Sequence, residues 1–270
     1  MRGLSERPYL PRKEIDVFAQ ERRKSIAGMV ESTGQVLVRD LSGHFSVTED
    51  CIRKDLAILE KEGILSRLYG GAVKNRINPH ETDVAQRLGK NPELKRKIAT
   101  AALKLIKKGD TVFIDISTTG AELALLIASS GLEVTVVTNM VKAMLALSVP
   151  CKAELVFIGG NFSPGRDGFI GAAAIAAIEQ FRFDIAFMGA AGVDLYRNRT
   201  ETYLADDGLT KKAALGAAKK KYLLLEARKL NNETPFRYAG IDDFTGIVIA
   251  EEFPAPAMEA LARYRIEIVR

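Results

Sequence analysis

Up to Val73, apolar positions recur first at helical spacing and then at strand spacing. In FAQERRKSIAGMVESTG, running from Phe18 to Gly34, residues Ile26, Met29 and Val30 fall on one face and Gly34 supplies a C-terminal stop. VLV at 36–38 reads as a short strand, and Arg39 to Phe45 as a second short helix with Leu41 and Phe45 four residues apart. Thr48 is a suitable N-cap for a third helix reaching about Glu62. Within it Ile52, Leu56 and Leu59 follow an i, i+4, i+7 pattern and face a small core, leaving Asp50, Arg53, Lys54, Ala57 and Lys61 outside. Gly63 ends the helix, and Ile64 to Tyr69 followed by Gly70-Gly71 gives a turn between β-type residues.

Helix, strand, short helix, turn, helix and hairpin in that order predict a winged helix-turn-helix whose third helix is sized for the major groove of DNA. A small helical interaction module has the same periodicity, so spacing alone leaves both readings open.

The pattern changes further along. INPHETDVAQRLGKNPEL, from Ile77 to Leu94, is polar, has two prolines and reads as a linker with a helical piece in it. After Lys95 short apolar runs alternate with Ala/Leu-rich stretches: TVFIDI, VTVVT, AELVFIGG, FDIAFMGA, KYLLLEA and GIVIA. Runs of this kind are buried parallel strands joined by crossovers, so the larger part of the chain is expected to be a Rossmann-like α/β domain with a mostly parallel sheet. The tail EFPAPAMEALARYRIEIVR suits a final helix and an edge strand. The expected organisation is an N-terminal extension at 1–17, a winged helix-turn-helix at 18–74, a linker at 75–94 and the α/β domain at 95–270.

Composition narrows the class. Among 270 residues 47% are hydrophobic and 27% charged, the balance of a globular protein. No apolar run approaches the ~20 residues of a membrane span, and MRGLSERPYLPRKEIDVF lacks the apolar segment of a secretory signal, so a cytoplasmic protein is expected. Cys51 and Cys151 have no metal-like spacing, and His44 and His80 are far apart, which argues against a disulfide framework, a zinc site or any other metal. His44 reads as a packing or surface residue. The net charge of +5 is mild, and residues 1–79 hold 14 Lys and Arg against 11 Asp and Glu, so about a third of the chain carries +3 of the +5, a surplus that supports a DNA partner without demonstrating one.

In parallel sheets ligands bind beyond the carboxyl ends of the strands. Ser117, Thr118, Thr119 and Gly120 in DISTTGAELA stand between a strand and a helix, where hydroxyls and free amides can hold a phosphate. Thr138 and Asn139 follow the second run, Gly159 and Gly160 the third, and Gly189 to Asp194 the fourth. Any one such loop is ordinary turn chemistry. Four at corresponding strand ends point to a shared pocket.

ERRKSIAGMVESTGQVLVRDLSGHFSVTEDCIRKDLAILEKEGILSRLYGGAV resembles the N-terminal domain of the DeoR family of bacterial transcriptional regulators, above all in VTEDCIRKDLAILEKEGIL followed by RLYGGAV. The resemblance implies a DNA-binding face made by Thr48, Cys51, Arg53, Lys54, Arg67 and Tyr69. Thr48 stands where the family has a hydroxyl residue opening its recognition helix, Arg53 and Lys54 match its paired basic residues, and Asp55 and Leu56 complete the match. Cys51 departs from the usual threonine, and Lys54 stands where arginine is common, which keeps a phosphate contact but loses the fork that reads guanine. Arg53 is then the base reader, with Arg67 and Tyr69 approaching the backbone or minor groove.

Residues 95 to 250 resemble the effector domain of the same family, itself similar in fold to sugar-phosphate isomerases and deaminases, through DISTTG, VVTN, FIGG, FDIAFMGAAGVD and LLLEARK. The implied effector site comprises Asp115, Ser117, Thr118, Thr119, Gly120, Thr138, Asn139, Gly160, Gly189, Asp194, Lys211, Glu226 and Lys229. Gly120 replaces a common third hydroxyl, Glu226 a usual aspartate and Asp207 a usual glutamate. The expected function is a regulator, most often a repressor of carbohydrate genes in this family, with operator DNA and a sugar phosphate as partners, a dimer or tetramer as assembly and no cofactor. The alternative is an isomerase or deaminase fused to a DNA-binding module, with Asp115, Asp194, Glu226 and Lys229 as acid/base groups.

Overall fold

A computed structural model describes residues 12–62, 64–74 and 89–270. By internal contacts the chain divides between Arg76 and Ile77 into two compact units.

The first unit begins with α1 (Arg12–Thr33), so residues 12–17, read from the sequence as part of an extension, are helical. Gly34 follows at φ +78°, its N–H donating to the Val30 carbonyl at 2.9 Å. Then come β1 (Gln35–Leu37) and α2 (Val38–Phe45). The strand ends one residue earlier than its apolar run suggests, because Val38 turns into the core and its N–H is taken by the Gly70 carbonyl at 2.9 Å. Helix α3 (Glu49–Lys61) opens on Thr48, whose hydroxyl accepts from the Cys51 N–H at 3.3 Å. It closes on Glu62; the expected stop, Gly63, lies outside the described residues. Strands β2 (Leu65–Leu68) and β3 (Gly71–Lys74) complete an antiparallel sheet in the order β1-β3-β2. Ile26, Val30, Val38, Leu41, Ile52, Leu56, Leu59, Leu65 and Ala72 form its core.

The second unit opens with α4 (Pro92–Leu103), whose first turn takes Pro92, Glu93 and Leu94 from the expected linker. Then follow β4 (Thr111–Ile114), α5 (Thr118–Ser130), β5 (Thr135–Thr138), α6 (Val141–Leu147) and β6 (Glu154–Phe157). A hairpin of β7 (Asn161–Ser163) and β8 (Gly168–Ile170) precedes α7 (Ala172–Ile178) and β9 (Phe183–Gly189). Next are β10 (Gly192–Asp194), β11 (Arg199–Thr202), α8 (Ala205–Ala217), β12 (Ala218–Leu224) and β13 (Phe236–Ala239). The chain ends with β14 (Gly246–Val248), α9 (Ala255–Leu261) and β15 (Glu267–Val269).

Seven strands form one sheet in the order β15-β14-β12-β9-β4-β5-β6, and every neighbouring pair is parallel. All six apolar runs read from the sequence lie in it, and β15 is its edge. Alternate strand residues feed two apolar clusters, one holding Val112, Ile114, Ile185 and Leu224 and the other Phe113, Ala186, Met188 and Leu223, as burial on both faces requires. From β4 the chain builds outward through β5 and β6, then returns to lay β9 on the other side of β4. The strand order therefore reverses between β4 and β9, and their carboxyl ends flank the crevice where open α/β sheets take ligands. A separate antiparallel sheet, β10-β11-β13, stands beyond the β9 end.

Candidate functional site

In the first unit the helix periodicity separates an inner face from an outer one. Ile52, Leu56 and Leu59 are buried, and Arg53 and Lys54 are exposed. Asp55 is also buried, because α1 offers it two arginines: Arg22 Nε donates to Oδ2 at 2.6 Å and Arg23 Nη1 lies 3.5 Å from Oδ1. Arg22 Nη2 further donates to Cys51 Sγ at 3.2 Å, so the thiol is engaged with α1. Arg67 on β2 is tied to α3 twice, its N–H donating to Glu60 Oε1 at 2.9 Å and its Nε to Oε2 at 2.7 Å. Those two hydrogen bonds, the backbone one first, hold the Glu60 carboxyl below its ordinary range. Tyr69 stands fully exposed at the hairpin tip, before Gly70 at φ +82°. A helix presenting Arg53 and Lys54 to solvent, flanked by a braced hairpin, is a surface suited to DNA.

In the second unit the β4 end leads directly into α5. Ser117 caps the helix, its Oγ accepting from the Gly120 N–H at 3.0 Å. Gly120 packs closely there: a Cβ would stand 2.8 Å from Ser117 Oγ and 2.9 Å from Ile114 Cγ2, so those side chains would have to shift for a larger residue. Across the crevice Gly189 ends β9, and its N–H donates to Asp115 Oδ2 at 2.9 Å. The same carboxylate oxygen takes Lys211 Nζ from α8. Lys211 also lies 4.0 Å from Asp207 Oδ1 and 5.8 Å from the centre of the Tyr238 ring. Asp207 in turn accepts from the Thr202 hydroxyl. Tyr238 donates to the Gly189 carbonyl at 2.9 Å; burial first, then Asp115 and Asp207, push its hydroxyl well above the ordinary value. This buried network joins β4, β9, β11, β13 and α8, with Lys211 compensated by two carboxylates as a buried cation must be.

A small pocket of about 70 Å³ opens over this network. Ser117, Thr118, Gly189, Lys211 and Lys229 line it together with Lys90, Thr202, Tyr203, Arg228 and Asn232. Glu226 is wholly buried behind two of these residues, accepting from Arg228 Nε at 2.8 Å and Nη2 at 2.9 Å, with Lys229 Nζ 3.8 Å away. Burial pushes its carboxyl up, but Arg228, Lys229 and Lys95 outweigh that and hold it below its ordinary value. Four cationic side chains thus border the first turn of α5. Two larger hollows, of about 690 and 790 Å³, include no residue from the β4 or β9 ends.

Residues 22–78 match the DeoR-like helix-turn-helix domain, and residues 90–251 match the DeoR C terminal sensor domain. The chain belongs to the DeoR family. A putative aga operon transcriptional repressor from Escherichia coli O157:H7 is 30% identical over 92% of this chain and 93% of its own length. The lactose phosphotransferase system repressor of Lactococcus lactis subsp. lactis is 30% identical over 78% of this chain and 83% of its own. Ribose 5-phosphate isomerase A from Methanocaldococcus jannaschii covers 53% of this chain and 56% of its own, at 21% identity and a TM-score of 0.40, a likeness that carries no argument about activity. This DeoR family member is therefore a DNA-binding transcriptional regulator with a C-terminal sensor domain.

Of the other residues expected at the effector site, Asp115, Gly120 and Glu226, described above, do not line this pocket, and neither do Thr119, Thr138, Asn139, Gly160 and Asp194. Thr119 is buried with its hydroxyl unpaired. Thr138 braces the sheet, its hydroxyl donating to the Ile114 carbonyl at 2.7 Å and accepting from the Met140 N–H at 3.1 Å. Asn139 Nδ2 donates to the Phe169 carbonyl at 2.8 Å, fastening the β7–β8 hairpin. Gly160 adopts φ +151° against Ala174. Asp194 Oδ1 accepts from the N–H groups of Tyr196 and Arg197 at 2.9 and 3.0 Å and so shapes the β10–β11 turn. Sequence reasoning passed over Lys90 and Arg228; the signal for Arg228 was its place between Glu226 and Lys229 in LLLEARK.

Proposed function

We propose that this regulator represses carbohydrate genes and that a phosphorylated sugar, seated at the β4/β9 crevice, changes its affinity for operator DNA. The pocket carries the reading: the N-terminus of α5 and the side chains of Lys90, Lys211, Arg228 and Lys229 converge on one small cavity. A helix N-terminus presents unsatisfied N–H groups and positive partial charge, and cations at its rim favour a dianion. The phosphoryl group sits on the Ser117–Thr118 turn, with Thr202 and Asn232, which line the same pocket, orienting sugar hydroxyls. The relatives' names, an aga operon repressor and a lactose phosphotransferase system repressor, support carbohydrate control. A two-fold assembly acting on chromosomal DNA in the cytoplasm would set two α3 helices on successive half-sites.

The carboxylates are bracing groups, which favours a sensor over proton transfer. Asp115 is held by Lys211 and the Gly189 N–H, and Glu226 by a bidentate arginine. Thermal unfolding of the full chain across phosphorylated and unphosphorylated sugars tests the proposal. A phosphorylated sugar at 100 times its Kd stabilises the protein by ~2.7 kcal/mol, and its unphosphorylated parent does not. Thr118→Glu, which puts a carboxylate in the phosphoryl position, abolishes that response. Equal stabilisation by phosphorylated and parent sugars, or product accumulating in the same mixtures, would contradict the reading.

A further inference from the structure

The inference rests on the DNA-binding reading above, in which Arg53 is the base reader by family resemblance, and that arginine is held by acids of its own helix. Arg53 Nη2 donates to Glu49 Oε2 at 2.5 Å and Nη1 to Asp50 Oδ1 at 2.7 Å. Lys54, the next residue, is exposed and has no polar partner among the described residues. We infer that Glu49 and Asp50 are positioning residues that fix the Arg53 guanidinium for guanine recognition and keep it from serving as a general phosphate contact.

Stability does not account for the arrangement. The Asp50 side chain is 81% exposed and that of Arg53 55%, and ion pairs this open to solvent add little to folding. Their consequence for DNA is larger. A guanidinium has five N–H donors, so two hydrogen bonds leave three, enough for the bidentate fork that guanine O6 and N7 require. A free arginine would swing to the nearest phosphate and release counterions at any sequence. Clamped between two carboxylates, Arg53 belongs to a group of net negative charge, which gains nothing from a phosphate, while its three remaining N–H donors still suit the O6 and N7 acceptors of a guanine edge. Lys54, unclamped, supplies the sequence-independent attraction. Glu49 and Asp50 also complement the positive end of α3, which is the competing structural role and one that affects folding alone.

The full-length Glu49→Gln/Asp50→Asn variant and the parent are each selected against a randomised duplex library, and affinities for the selected duplex and for a mixed-sequence duplex are titrated at several salt concentrations. The expected result is a mixed-sequence affinity that rises, a salt slope steeper by about 0.9 as Arg53 joins a phosphate, and a selected-to-mixed affinity ratio lower by about tenfold with one guanine position relaxed. Glu49→Gln alone moves each quantity in the same direction by less. An unchanged selected motif and salt slope would overturn the inference. So would a fall in both affinities in step with a lowered thermal midpoint and an unchanged ratio, because that is the signature of a helix cap alone.

Discussion

At the residue scale, function divides between side chains that reach outward and side chains that hold others in place. Arg53→Ala should weaken binding to the selected duplex by ~1–3 kcal/mol and relax one position, whereas Lys54→Ala should weaken binding to all duplexes and flatten the salt slope by about 0.9. Titrations on selected and mixed duplexes separate the two outcomes. Glu226 makes a second prediction through pH. Its carboxyl is held below the ordinary value of 4.5, so it stabilises the fold above its unfolded value and loses that contribution as pH falls through the lower folded value. Denaturant unfolding of the parent and Glu226→Gln should differ at neutral pH, with the difference shrinking towards strongly acid pH; a constant difference would show that the charge is not responsible. The exposed face of α3 was legible in the 3.6-residue period. What period cannot give is a partner from another element, and so the contacts of Arg22 with Asp55 and Cys51 were invisible until α1 and α3 were packed together.

At the element scale, legibility followed burial. β4, β5, β9 and the Tyr222–Leu224 end of β12 are covered on both faces and read as apolar runs. GVD, RTET and FRYA, which form the β10-β11-β13 sheet, are short and mostly polar, so nothing in their spacing marks them as strands. The wing was legible through its Gly-Gly pair, and each glycine has its own reason. Gly70 turns the hairpin at φ +82°, while Gly71 lies against β1, where a Cβ would meet the Val36 carbonyl oxygen at 2.2 Å. Backbone cannot yield as a side chain tip does. Gly71→Ala should therefore destabilise the first unit by roughly 1–3 kcal/mol and weaken DNA binding with it, while Gly43→Ala, where a Cβ meets nothing within 4 Å, should not. Thermal unfolding of the two variants checks the contrast.

At the scale of the whole molecule, a small helix-turn-helix domain recognises DNA and a larger α/β domain carries the sensor. The reversal of strand order between β4 and β9 explains where the small pocket forms, and the sequence hinted at it through DISTTG and FMGA. It could not show that Lys90, just before α4, and Arg228, after β12, reach the same cavity as Ser117. Communication requires only linkage: a ligand that shifts DNA affinity must prefer one conformation or assembly, with coupling typically of ~1–3 kcal/mol. The most direct test is a titration of the selected duplex complex, for the parent and Thr118→Glu, with the phosphorylated sugar that stabilises the parent. The account predicts that the sugar phosphate shifts duplex affinity of the parent by about 5- to 150-fold and leaves Thr118→Glu bound as before. An equal shift in both proteins, or none in the parent, would contradict it.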